Sequence, residues 1–195
     1  MSQIYWLWDA NNAPLGIYIV SADGKHFEIN EPCTPDDPAY YDHKNECAGV
    51  TYLMAMALRE SRIVHWQGPY PASTNDAGMY VLGVQSLRSK VLATRGKVVA
   101  DSALQHHDEV GGAPNEFHTK RAKVFFGRAR CRQECVFCRL TVFKVLKDNF
   151  RHSKKSKRTP DGIDPVLENH RIMADAVCVT VQYQFENGSP IWDLA

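Results

Sequence analysis

Residues 19–29 read IVSADGKHFEI. Ile19, Val20, Phe27 and Ile29 are apolar and frame a polar middle, SADGK. Asp-Gly between apolar runs is a common tight-turn signal, since Gly accepts positive φ and Asp bonds its own backbone. The flanks, LGIYIVSA and KHFEI, read equally well as one long strand or two short ones. Asp23 is therefore either a turn residue or a carboxylate held inside a sheet.

Moving outward, IYWLWDANNAPLGIYIV enters a strand pattern almost at once, and 31–49, rich in Pro, Asp and Tyr, reads as loop. VTYLMAMALRE (50–60) is a nearly unbroken apolar run of strand length, read as a buried central strand although its Leu, Met and Ala would also suit a short helix. RIVHWQGPYPA (62–72) is its expected hairpin partner. Over 73–96, Met79, Leu82, Leu87, Val91 and Leu92 give mostly helical spacing, with caps available at Ser73 to Asp76 and a stop at Gly96. KVVADSAL (97–104) reads as a short strand ending on Asp101, and 106–122 as loop. RARCRQECVFCRLTVFKVLKDNF (128–150) reads as a helix, with Phe137, Leu140, Phe143 and Leu146 stepping by three. The segment VLENHRIMADAVCVTVQYQFENG fits a helix through Leu167, Met173 and Val177 and a strand through its alternation from Val177 to Phe185; helix is chosen. Early hairpin strands, then a helix feeding a further strand, predict an α/β fold with a mixed sheet flanked by helices.

At 195 residues the chain suits one sizeable domain. Residues 1–150 form the expected core, 151–162 a basic linker, and 163–195 a C-terminal helical segment of the same domain. The net charge of +1 announces no global attraction to nucleic acid, so local clusters must decide. No apolar run approaches the roughly 20 residues that span a membrane. MSQIYWLWDANN has no secretory-signal pattern, so the six cysteines are read as reduced thiols of an intracellular protein.

Three acids share one kind of location. Asp23 lies in the first strand region, Asp101 ends a strand, and Glu134 sits in a later helix. Strand ends faced by a helix are where ligand groups converge in α/β sheets. Clustered carboxylates repel and raise one another's pKa, and a divalent cation with hard oxygen ligands relieves that cost. The competing account is three unrelated turn, cap and surface residues.

The order of motifs weighs against coincidence. SADGKHFEI…EP, YYDHKNECAGV, PASTND, KVVADSAL and RCRQECVF follow one another. This series resembles the DDE endonuclease domain of the PIF/Harbinger transposase group and its domesticated nuclease-like derivatives. Asp23 and Gly24 match its first element, Tyr40, Tyr41 and Lys44 its second, and Pro71, Ser73 and Asp76 its third. Asp101 and Ser102 match the fourth, and Arg130 and Glu134 the fifth. Asp101 and Glu134 lie 33 residues apart, close to the family's usual gap. Ala72 and Leu104 depart from the pattern, where the family tends to have Gly and an aromatic.

The resemblance covers about residues 16–150. It implies an RNase H-like fold, and an acid triad of Asp23, Asp101 and Glu134 binding two Mg²⁺ or Mn²⁺ ions, Asp23 bridging both. Asp76 is the alternative second acid or a supporting residue. The implied reactions are hydrolysis of a DNA phosphodiester and transfer of the freed 3′-hydroxyl to target DNA. Nuclear localisation and a separate Myb-like partner are implied too. The family's N-terminal DNA-recognition region is expected to be lacking, since the chain opens almost at the first catalytic strand. The alternative is a catalytically silent DNA-binding or interaction protein of the same ancestry.

DNA contacts are expected from Lys44, from Arg130 and Arg132 on the helix, and from Lys154, Lys155, Lys157 and Arg158 in RHSKKSKR. Cys131, Cys135 and Cys138 read as thiols packing the helix rather than zinc ligands, since metal knuckles usually sit on turns and need a fourth ligand.

Overall fold

The computed structural model describes residues 6–8, 14–30, 37–104, 106–111, 120–148, 150 and 165–192. Its strands are β1 (Trp6–Trp8), β2 (Pro14–Glu28), β3 (Tyr41–Asp42), β4 (Cys47–Ala57), β5 (Ile63–Pro71), β6 (Lys97–Val99) and β7 (Val110–Gly111). The helices are α1 (Asp37–Tyr40), α2 (Asp76–Val81), α3 (Leu87–Thr94), α4 (Lys120–Leu140), α5 (Lys144–Lys147) and α6 (Pro165–Glu186).

Asp23-Gly24 makes no turn. β2 runs straight through SADGK, with Asp23 opposite Met54 and Gly24 opposite Leu53 of antiparallel β4. The apolar residues on both flanks pair continuously with β4, and this ladder overrides the local turn signal. β4 is buried along its length from Ala48 and sits between β2 and β5. β6 lies parallel to β2 on its other side, and β7 parallel to β6. The result is an α/β fold with a mixed sheet, β5-β4-β2-β6-β7, flanked by helices; β3 pairs with the start of β4 and β1 with the start of β2.

Alternation along the strands builds two cores. Val50, Tyr52, Met54 and Met56 of β4, with Phe27 and Ile29, pack on Val136, Phe137 and Leu140 of α4 and Val177 and Val181 of α6. Leu53 and Ala55, with Val20 and Ala22, pack on Met79 and Tyr80 of α2 and Leu87 and Val91 of α3. The register of β2 with β6 slips between Tyr18 and Val20. This bulge at Ile19 turns Tyr18 to the α4 side, where its ring meets Phe126 edge-on at 5.3 Å.

The single helix expected over 73–96 is two. Gly83 at φ 86 separates them, and Ser86 starts α3 by accepting from the Ser89 N–H. Arg95, at φ 53, takes the left-handed cap position expected of Gly96. Gly96 serves packing instead, since a Cβ there would stand 2.4 Å from Ile19 Cδ1. α4 begins eight residues earlier than expected and ends at Leu140, so Phe143 and Leu146 belong to the N-cap and body of α5. The C-terminal segment is helical, as chosen, because α6 packs its Val177 and Val181 against the sheet. The expected linker 151–162 lies outside the described residues.

Candidate active site at the end of strand β6

The pairing of β2 with β6 stops at Ser21, and the chain leaves β6 after Val99. Asp23 lies just beyond that point. By strand alternation its side chain faces α4, as do Ser21 and Lys25, which reach Gln133 and Phe137. Gly24 faces the other way, against α2: a Cβ at Gly24 would fall 2.1 Å from Asp76 Oδ1. Acids therefore approach one point from both faces of the sheet and from the end of its neighbouring strand.

The electrostatics of Asp23 register this. Burial, then the charges of Asp76, Glu134 and Asp101, push its carboxyl up to about 6; the Gly24 N–H, donating to Oδ1 at 2.9 Å, pulls the other way. Asp76 is also raised, first by burial and then by Asp101, while Lys44 opposes the rise. Asp101 forms an ion pair with Arg130 at 2.9 Å, both side chains about half exposed.

Glu134 owes its place to its neighbours on α4. Gln133 is buried, accepts from Ser21 Oγ at 2.8 Å and donates to the Met54 carbonyl at 3.1 Å. Arg132 is turned inward and buried, donating to the carbonyls of Ala57, Leu58 and Glu60. This corrects the expectation for Arg132: its guanidinium ties α4 to the end of β4 and does not face DNA. Gln133 was not singled out in the sequence, because a glutamine between Arg132 and Glu134 carries no periodic signal.

The other expected contacts divide. Lys44 sits in the turn between β3 and β4, beside Asp76. Arg130 is held by Asp101. Lys154, Lys155, Lys157 and Arg158 lie outside the described residues. Cys131 and Cys138 are exposed free thiols and Cys135 is half-buried.

Among the described residues, no group of three or more His, Cys, Asp or Glu is placed to hold a metal ion. The other three acids are thus within electrostatic range of Asp23 without being arranged as ligands. Their chemistry nevertheless fits a hard divalent cation. They are oxygen donors, and Asp23 is a half-buried carboxyl whose ionisation is opposed by three like charges.

A second cluster escaped the sequence reading. His26 Nδ1 lies 3.1 Å from Asp42 Oδ2, and its Nε2 lies 3.5 Å from Cys47 Sγ. The ring rests on Gly49, where a Cβ would stand 2.0 Å away. The order carboxylate, imidazole, thiol is that of an activated nucleophile. Its electrostatics are not: burial, with Glu28 and Asp42, holds the Cys47 thiol above its usual range, and burial keeps His26 low. The pair is a neutral, structural contact between β2 and the β3–β4 hairpin. Only register, invisible in one sequence, brings it together.

Compared with known proteins, the chain matches no protein-family model, no curated protein and no solved structure.

Proposed function

We propose that this chain is a divalent-metal-dependent DNA endonuclease and strand-transfer domain of PIF/Harbinger transposase descent, on an RNase H-like sheet. The observation that carries the proposal is the charge of Asp76, Glu134 and Asp101 acting on the half-buried Asp23 carboxyl, just past the end of β6. The sheet order β5-β4-β2-β6-β7, with β4 alone antiparallel to the rest, supports the RNase H-like reading.

In this reading Asp23, Asp101 and Glu134 hold Mg²⁺ or Mn²⁺, with Asp76 beside them across Gly24. Such ions lower the pKa of bound water and stabilise the attacking and leaving oxygens of phosphoryl transfer. The chain's own part is positional. Gln133 and Arg132 fix the height of Glu134 on α4, and Arg130 holds the Asp101 carboxylate until a cation competes for it. DNA is the substrate, the nucleus the compartment, and a Myb-like protein the accessory partner in this proposal.

Purified protein should nick supercoiled plasmid with Mg²⁺ or Mn²⁺ and bind the ion by calorimetry, and E134A should lose the nicking. Absence of ion binding, with D23A and E134A indistinguishable from the parent, overturns the metal site. The second reading, a silent DNA-binding or interaction protein, is favoured by the Asp101–Arg130 ion pair, which leaves Asp101 neutralised by protein. Ion binding without cleavage would select it.

A further inference from the structure

A cleft of about 520 Å³ opens on the α2 side of the sheet, with Asp76 in its wall. Gly24, His26 and Thr51 line it from the sheet, together with Asp76 and Ala103, which is two residues from Asp101. The turn after β3 lines it as well, through Tyr41, His43, Lys44 and Asn45. This turn is tightly built: Asp42 Oδ1 accepts from the Lys44 N–H at 2.8 Å, and Asp42 Oδ2 from the Asn45 side chain. Asp42 also pairs with His26 below. The rings of Tyr41 and His43 meet edge to face at 5.1 Å, both exposed, with Lys44 next in the chain.

We infer that this cleft is a subsite for one unpaired nucleotide of the substrate strand, its base stacked on the Tyr41 ring, with His43 edge-on beside it, and its phosphate on Lys44. The inference rests on the proposed phosphodiester chemistry at the acid cluster, of which Asp76 lines the cleft. Three properties carry it. Exposed rings on a rigid turn offer a π-face without ordering cost, and base stacking tolerates any base. In a duplex both faces of a base are already stacked, so only an unpaired nucleotide can use the platform. The carboxylates at the cleft each have a donor or cation nearby: Asp42 accepts from the Lys44 N–H and the Asn45 side chain, and Asp76 is near Lys44. Lys44 thus supplies a cation in the cleft wall, next to the rings in the chain and near Asp76.

The test uses the full chain carrying E134Q, so that binding is read without cleavage. Fluorescence anisotropy compares a labelled single-stranded DNA dodecamer, an RNA of the same sequence and the matching duplex, with Ca²⁺ present. The single strands should bind at least about tenfold tighter than the duplex. Y41A should lose about tenfold on single strands and nothing on duplex, while Y41F, which keeps the ring, binds like the parent. K44A should lower the salt slope on single strands by about 0.7. Equal affinity for duplex, or a Y41A protein that melts normally and binds single strands like the parent, overturns the inference. The RNA arm tells whether the 2′-hydroxyl is accepted. The two proposals fail separately. Strand preference that depends on Tyr41, without plasmid nicking by the parent, removes the endonuclease and keeps the subsite. Nicking with an unaffected Y41A removes the subsite alone.

Discussion

Asp23 is where sequence and structure meet most directly. Its carboxyl is raised to about 6 by burial and three acids, so the fold opposes its ionisation. A raised acid costs stability once both states are charged: the cost is absent below the unfolded pKa near 4 and grows as pH climbs through 6. The metal-free chain should therefore gain stability, by about 1–3 kcal/mol, on replacement of Asp23 by the uncharged isostere. We expect D23N to raise the calorimetric Tm at pH 7 in chelator and to abolish nicking; a lower Tm would show that the acids are not in conflict. His170 works in the opposite sense. It is fully buried, its Nδ1 lies 2.8 Å from Tyr52 Oη, and burial holds its pKa down to about 4. Its neutral form stabilises the fold above the unfolded pKa of about 6.5, and that contribution is lost as pH falls from there toward 4. Acid titration of D23N followed by circular dichroism should thus show a steeper loss between pH 6 and 4 than the parent, where Asp23 partly offsets His170. At the thiols, Cys131 and Cys138 should take up iodoacetamide well before Cys47 and the buried Cys178, by peptide mass spectrometry.

Among the elements, α4 carries the firmest lesson. Its sequence shows a run of arginines, and the natural reading is a basic face. The structure disperses them. Arg128 lies over the Trp192 ring, Arg130 pairs with Asp101, Arg132 is buried on carbonyls, and Arg139 bonds the carbonyls of Ser189 and Pro190 while lying over Phe185. Arg132 should behave as a core residue. R132M should lose about 2–4 kcal/mol in urea unfolding, because three carbonyls lose a charged donor. Its duplex affinity, measured where it remains folded, should match the parent; a weakened salt dependence would restore it to the DNA face. The element boundaries were legible only where the hydrophobic period was long. β4 was read from a nearly unbroken apolar run, β5 as its hairpin partner, and α6 from the spacing of Leu167, Met173 and Val177. The division of 73–96 was not read, because Gly83 inside a helical period is a weak signal until its positive φ is seen. The passage of β2 through Asp-Gly was also undecidable locally, since pairing with β4 supplies the deciding energy.

Over the whole molecule, the mixed sheet with helices on both faces was readable, and so was the place of Asp23 in the first strand region. The distances among the acids were not, because they depend on Gln133 and on the bulge at Ile19 setting which face each residue takes. The charge budget of the molecule also shifts. With Arg128, Arg130, Arg132 and Arg139 engaged within the protein and a net charge of +1, the proposed phosphate contacts rest on Lys44 and the RHSKKSKR stretch. Replacing Lys154, Lys155, Lys157 and Arg158 together with alanine should flatten the slope of log affinity for duplex DNA against log salt by about 3–4. An unchanged slope would move the phosphate contacts elsewhere.

Between Ala22 and Phe27, no described strand pairs with the side of β2 that faced β6 earlier in its course. An open strand edge of this kind is a template on which another chain can build. Here the opening is occupied by carboxylates from three directions, and a second copy of the same strand would bring the same charges with it. Neutralising several of these acids at once should promote self-association, visible as concentration-dependent light scattering, in a chain that remains folded.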